Sequence, residues 1–304
     1  MYSVGVVLVN WNGGELTIPC IESLMAGVVA PDRIIVVDNA STDGSAELIA
    51  REFPQVEVVL SRDNLGFTGG NNIGIRKFIA RGFDYIWVLN NDTVVERDCL
   101  KRFLEFVQEY DEVAGCCGKI LYHDQRDVIW FAGATFNPLL LTAKHKGALQ
   151  RDTGRYDRIE RTAFITGCCM FVKKEAWEKV GMFDERFFAY GEDFDWCMRA
   201  KALDLQLFFV PEAVMYHKVS ASMLKLRKTG SAGSTSPRVI YLVTRNRLYI
   251  LRKHAKNRAQ KTLAMVLFAF WITYYASALI ILFRWYKIPP LLRGINDGMK
   301  DALV

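Results

Sequence analysis

The chain lacks what several large function classes need. Its seven cysteines include no C-x-x-C pair and are accompanied by only four histidines, so a structural zinc site has no ligand set to draw on. Cys20, Cys99, Cys116, Cys117, Cys168, Cys169 and Cys197 lie mostly in apolar surroundings and make an odd count. They read as reduced core thiols of a cytosolic domain, not as a disulfide framework. No G-x-G-x-x-G follows the first apolar run and no G-x-x-x-x-G-K-[ST] occurs anywhere, which removes the main support for a dinucleotide dehydrogenase or a P-loop NTPase. Met1-Tyr2-Ser3-Val4 has no basic n-region, so no signal peptide is expected. Asp and Glu are absent between Lys218 and Lys261, where Lys and Arg are frequent. Within an overall charge of +6, that basic zone points to a membrane surface or a polyphosphate and not to a nucleic acid.

What is present fits an α/β chain. With 304 residues, 51% of them apolar, it can build one large α/β domain plus an appendage. Apolar runs at 4–9, 33–37, 56–60 and 85–89 predict strands, alternating with helices that end near Met25, Glu52 and Arg81. Beyond them the pattern predicts a helix over 96–110, a strand over 113–120, a hairpin over 128–146 and a polar loop over 151–161. A strand over 164–172, with a small residue where something must approach closely, a short helix over 174–180 and a strand over 205–210, followed by Pro211 to His217, come next.

Right-handed crossovers place the carboxyl ends of the parallel strands on one edge, where open α/β sheets bind ligands. That edge gathers Asn10, Asp38, Asn64, Gly69, Gly70, Asn71, Asn72 and Asp92. Asp38 can accept from a base imide or a ribose hydroxyl. Gly69 and Gly70 would let the backbone approach a diphosphate, with a helix starting beyond Gly70 adding a favourable dipole. The buried-strand pattern Tyr85-Ile86-Trp87-Val88-Leu89 stops at Asn90-Asn91-Asp92. Asp92 there could hold a hard divalent cation, or could cap a helix starting near Glu96.

A second cluster, Glu192-Asp193-Phe194-Asp195, stands at a predicted helix start, where the macrodipole favours carboxylates. Asp195 and Arg199 have the i,i+4 spacing of an ion pair. Burial by Phe187, Phe188 and Tyr190 would raise a carboxyl pKa and suit it to general-base work. His217, just past a strand, is a candidate metal or phosphate ligand. Residues 225–237 are basic and Gly/Ser-rich and suit a lid over a polyphosphate. Residues 241–261 form a basic amphipathic stretch running into a charge-free apolar helix over about 263–283. That helix is roughly 30 Å long, near the thickness of a bilayer core, and its heavier positive flank on the N-terminal side keeps the preceding domain cytoplasmic if it spans.

Taken together, VNWNG from Val9, VVDNASTDGS from Val36, NLGFTGGNN from Asn64, LNND from Leu89, the GxFDExFFxYxEDxDxCxR run from Gly181 to Arg199, and the H-x-x-S from His217 to Ser220 resemble the family-2 inverting glycosyltransferases of GT-A fold. The resemblance is strongest to bacterial rhamnosyltransferase-like members of cell-surface polysaccharide assembly and covers residues 3–225. The family's D-x-D appears as Asn90-Asn91-Asp92, leaving one carboxylate. The resemblance implies a transferase domain over 1–225, a basic loop over 226–237 and membrane-associated helices over 238–304. It implies a dTDP- or UDP-sugar donor held by Asn10, Asn12, Asp38, Asn64, Gly69, Gly70, Asn71 and Asn91. Mg²⁺ or Mn²⁺ would sit on Asp92 and His217, with Asp193 as base and Glu192 beside it. It further implies a polyprenyl-diphosphate-linked or glycan acceptor at the cytoplasmic face of the membrane, with room for a homo-oligomer. L-Rhamnose from dTDP-rhamnose is the first donor. A UDP-linked galactofuranose or N-acetylglucosamine is the alternative, and a membrane-tethered sugar-nucleotide or glycan-binding protein without turnover is the alternative of another class.

Overall fold

The computed structural model describes residues 2–110, 112–218 and 236–300. β1 (Val4–Asn10), β2 (Arg33–Asp38), β3 (Glu57–Leu60) and β4 (Tyr85–Leu89) pair in parallel in the order β4-β1-β2-β3. The connecting helices are α1 (Gly14–Met25), α2 (Ser45–Glu52) and α3 (Gly66–Ala80). This is the βαβ half that the hydrophobic alternation predicts, and every residue of β4 is buried. Antiparallel β11 (Cys169–Lys173) then joins β4 to β6 (Val113–Tyr122), and β12 (Gln206–His217) lies parallel to β6. The result is a mixed ten-stranded sheet, completed by β5 (Thr93–Val95) and β10 (Glu160–Arg161) on β12 and β7 (Gln125–Phe131) on β6. Its centre is an aromatic core in which Phe171 stacks between Tyr85 (4.8 Å) and Phe103 (5.0 Å).

Several local expectations need correction. The segment after Asp92 does not enter a helix: it extends as β5, and α4 (Cys99–Glu109) begins later with Asp98 at its N-cap. Asp92 is therefore not a helix cap. The 128–146 segment contains the end of β7 and a separate pair, β8 (Ala134–Asn137) with β9 (Thr142–His145). Residues 164–168 stay out of the sheet, and β11 starts only at Cys169. β12 continues through Pro211 because a register irregularity between Val210 and Val214 absorbs it. α5 (Lys174–Val180) and α6 (Glu192–Ala202) fall where the sequence puts them.

α3 starts at Gly66, earlier than the sequence pattern suggests, so Gly69 and Gly70 lie inside the helix and Gly69 N–H donates to Leu65 O (3.3 Å). The glycines serve helix–sheet packing. A Cβ on Gly70 would lie 2.9 Å from Val9 Cγ1, and one on Gly74 2.5 Å from Val7 Cγ1. Gly74→Ala should therefore destabilise the protein by about 1–3 kcal/mol through overpacking, read as a lowered urea midpoint with an unchanged m-value.

The chain divides into two compact units: residues 1–135, 145–188 and 192–218 form one, while 136–144 and 189–191 group with the C-terminal segment. In the second unit the basic helix α7 (Pro237–His254) does not run on into the apolar one. It stops short of Asn257, whose Oδ1 accepts from Gln260 N (2.9 Å) and caps a new helix, α8 (Arg258–Ile281). α8 is the one helix among the described residues long and apolar enough to cross a membrane, about 36 Å for its 24 residues. A third helix, α9 (Ile288–Lys300), replaces the short tail expected from the sequence. Gly294 and Gly298 let it approach α7 closely, since a Cβ on Gly294 would lie 2.7 Å from Tyr241 O. Most of the expected basic loop, up to residue 235, and Ser220 lie outside the described residues.

Candidate active site

The parallel register sets Asn10 opposite Asp38 at the carboxyl ends of β1 and β2. Asn10 is fully buried. Its amide donates to Asp38 Oδ2 (2.9 Å) and Ser45 Oγ (2.8 Å), and its Oδ1 accepts from Thr17 Oγ1 (2.8 Å). Both amide protons are thus committed internally, and Asn10 holds Asp38 in place instead of facing a ligand. Asp38 accepts one further bond, from Ser41 N to Oδ1 (2.9 Å), so each of its oxygens keeps acceptor capacity. Asn12, at φ 49°, pins the first loop to the second by accepting from Thr42 N (2.7 Å). Asn64 Oδ1 accepts from Gly66 N (2.9 Å), covering a donor at the start of α3. Asn71 donates to Phe67 O (2.8 Å), while its Oδ1 is buried with no partner. Asn91 donates to Thr17 Oγ1 (2.8 Å). Thr17, which reads in the sequence as an ordinary helix residue, is therefore the junction through which β4's end reaches Asn10 and Asp38.

β5 explains why Asp92 and His217 meet. Its antiparallel pairing places Thr93 opposite His217, and Lys218 N donates to Asp92 O (2.8 Å). Asp92 Oδ1 lies 3.1 Å from His217 Nε2, yet the pair lacks hydrogen-bond alignment, and both Asp92 Oδ1 and His217 Nδ1 are buried without a hydrogen-bond partner. Trp130 packs edge-on against the imidazole at 4.7 Å. A carboxylate oxygen and an imidazole nitrogen 3.1 Å apart at the sheet edge are a donor pair that a divalent cation could share, taking its remaining ligands from elsewhere. No group of three or more His, Cys, Asp or Glu converges among the described residues.

Asp193 is partly exposed at the start of α6. Its Oδ2 accepts from Gly167 N (2.8 Å) and its Oδ1 from Phe194 N (2.7 Å). Burial raises its pKa above the ordinary Asp value, and the main-chain N–H groups offset part of that rise. Glu192 is more deeply placed: burial pushes its pKa well up, the neighbouring Asp193 and Asp195 push the same way, and Oε2 has no partner. Both influences favour its protonated form. Asp195 forms the anticipated i,i+4 ion pair with Arg199 (2.9 Å), whose guanidinium also donates to Val180 O and Met182 O (2.8 Å for the latter), so that pair is architectural. All seven cysteines are buried and free, and burial lifts the Cys20 thiol to about 12, which disqualifies it as a nucleophile.

The 92 and 193 clusters, a hundred residues apart in sequence, are joined by one dipeptide. Gly167 N–H binds Asp193, and Cys168 O accepts from Asn90 N (3.2 Å). Gly167 is the small residue at the close approach the sequence anticipates: a Cβ there would lie 3.2 Å from the Phe67 ring and 3.5 Å from Asp193 Oδ2.

Glu192 also carries a stability signature. Its folded pKa lies above its unfolded value, so its contribution is present below the unfolded pKa and lost as pH rises through the folded one. Glu192→Gln should raise the melting temperature relative to wild type by an amount that grows as pH rises above the ordinary Glu range. A pH-independent difference in melting scans would show that Glu192 is not held protonated by the fold.

The description "Glycosyl transferase family group 2" matches the chain over residues 85–294. An N-acetylglucosaminyl-diphospho-decaprenol L-rhamnosyltransferase of Mycobacterium tuberculosis is 24% identical over 242 residues, covering 71% of this chain and 76% of the relative. A dTDP-rhamnosyl transferase, RfbF, of Shigella flexneri is 23% identical, covering 73% and 71%. The crystal structure of GalNAc-T7 with UDP, GalNAc and Mn²⁺ superposes with a TM-score of 0.63 at 16% identity, over 82% of this chain, which spans about half of that protein (48%). One family description thus spans the second carboxylate cluster and the β4 terminus it is tied to, on a mixed sheet shared with solved transferases, and the chain belongs to family group 2 of the glycosyltransferases, with a GT-A fold and rhamnosyltransferase relatives.

Proposed function

We propose that this glycosyltransferase moves a hexose, with L-rhamnose from dTDP-rhamnose as the first candidate, onto a polyprenyl-diphosphate-linked acceptor at the cytoplasmic face of a membrane, with inversion at the anomeric carbon. The observation that carries the reading is Asp193: a partly exposed carboxyl of raised pKa, oriented by two main-chain N–H groups and tied through Gly167-Cys168 to the Asn90–Asp92 loop. Asp193 takes the proton of the acceptor hydroxyl as its oxygen attacks the anomeric carbon. The carbon–phosphate oxygen bond breaks on the opposite face, and the nucleoside diphosphate leaves with the electron pair. Protonated Glu192 adds no second negative charge beside the base. Asp38, steadied by Asn10, receives the nucleoside, and Asn12, Asn64 and the unsatisfied Oδ1 of Asn71 lie on the same sheet edge. Gly69, Gly70 and Asn91 support that edge by packing and hydrogen bonding. Asp92 and His217 would hold Mg²⁺ or Mn²⁺, which would supply Lewis-acid stabilisation of the departing diphosphate's charge.

The lipid-linked acceptor is supported by the decaprenol-linked acceptor in the name of the mycobacterial relative and by α8. The test is a screen of dTDP- and UDP-sugars, including dTDP-rhamnose, UDP-galactofuranose and UDP-N-acetylglucosamine, against decaprenyl-diphosphate-linked N-acetylglucosamine, with product structures determined by mass spectrometry and NMR. Turnover with dTDP-rhamnose and an inverted linkage is the expected result. Turnover with UDP-sugars alone replaces the donor, and binding without any transfer sinks the catalytic reading.

A further inference from the structure

The second compact unit contains a cavity of about 560 Å³, within the 300–1,000 Å³ of ordinary ligand pockets. Its walls come from α7, α8 and the 136–144 and 189–191 segments, and are mainly apolar: Leu140, Val243, Ile250, Leu267, Phe268 and Trp271. No Asp or Glu lines it. One cation does. Arg247 donates to the main-chain oxygens of Leu141 (2.6 Å) and Leu140, and no carboxylate pairs with it among the described residues. Burial lowers its pKa to about 10, the mark of a charge removed from water without a counter-ion. Leaving an ion in that state is costly, and a ligand that supplies an anion removes the cost. The cavity also shares α8, the helix of bilayer-spanning length, as a wall.

An apolar chamber with a single uncompensated cation is complementary to an amphiphile with an anionic head and a branched hydrocarbon chain. We infer that this cavity seats the lipid carrier of the acceptor, with the isoprenoid units nearest the head among Leu267, Phe268 and Trp271 and the carrier phosphate on Arg247. The inference rests on the lipid-linked acceptor proposed above and adds the place where the chain binds it.

The test uses the full chain in detergent micelles, with decaprenyl phosphate, butyl phosphate and phosphatidylglycerol as probes. Wild type should bind decaprenyl phosphate well above butyl phosphate and in preference to phosphatidylglycerol. Ala264→Trp, which fills the cavity from α8, should weaken decaprenyl phosphate binding at least about tenfold and leave donor affinity unchanged; Ala264→Leu covers the case in which Trp is not accommodated. Arg247→Gln should weaken binding of both phosphates. Wild-type preference for phosphatidylglycerol assigns the cavity to a bilayer lipid and overturns the inference. So does decaprenyl phosphate binding that neither Ala264 variant disturbs, which leaves the acceptor reading intact. Transfer to free glycans with no use of a lipid-linked acceptor removes both together.

Discussion

Asp193→Asn should bind donor with near-wild-type affinity and lose at least two orders of magnitude in turnover, the scale on which a positioned general base contributes. The geometry makes the substitution informative. The Asn side chain can still accept from Gly167 N through its amide oxygen, so the clamp between Asp193 and the Asn90–Asp92 loop is largely preserved while the proton acceptor is removed. Its amide nitrogen then faces the Phe194 N–H donor, so an unchanged melting temperature and donor affinity are read beside turnover to separate a lost base from a lost contact. The pH profile supplies the second arm. Because burial raises the Asp193 pKa, the base is lost as pH falls through that raised value, so the acid limb of kcat should lie above the ordinary Asp range. Near-wild-type turnover of Asp193→Asn, or an acid limb at the ordinary value, would remove Asp193 from the chemistry.

Asp92→Ala should cost about 10²–10³ in kcat at fixed Mn²⁺, the range seen when one electrostatic partner of a developing charge is removed. The argument is the pair of buried, unsatisfied atoms, Asp92 Oδ1 and His217 Nδ1, on side chains whose facing atoms lie 3.1 Å apart. In the proposed site, with Asn90 and Asn91 in place of further carboxylates, Asp92 is the charged ligand, so losing it should leave His217 unable to retain the ion. Mn²⁺ binding followed by electron paramagnetic resonance, with dTDP or UDP present, gives a readout independent of turnover: the signal of bound Mn²⁺ should disappear in Asp92→Ala and weaken in His217→Ala. Wild-type activity that survives chelator would contradict the assignment.

The parallel half of the sheet was legible because β1, β2 and β4 are buried on both faces and read as unbroken apolar runs, punctuated by loops that also carry the family pattern. What escaped was decided by contacts that periodicity does not encode. β5 is three residues long, too short for a pattern, and exists because β12 offers it an edge. Gly69 and Gly70 look like a phosphate loop in sequence, but the close Val9 and Leu65 side chains explain their missing Cβ atoms equally well, and only the helix start at Gly66 separates the two. Asn10 reads as a ligand-facing residue, and the Thr17–Ser45 network that uses up its amide is invisible until α1 and α2 are placed. One further signal does stand in the sequence: Gly294-Ile295-Asn296-Asp297-Gly298 is a small-x-x-x-small spacing, and it marks where α9 closes on α7.

The Gly167-Cys168 peptide has a thermodynamic consequence. One face of this dipeptide binds the proton acceptor and the other binds the backbone of the loop carrying Asp92. On the proposed roles, a shift of that loop on donor binding that moves the dipeptide would change the proton affinity of Asp193. Linkage is reciprocal, so protonating Asp193 must alter donor affinity by the same factor. Donor capture and base strength would then be two expressions of one coupling free energy, carried by the Gly167-Cys168 segment.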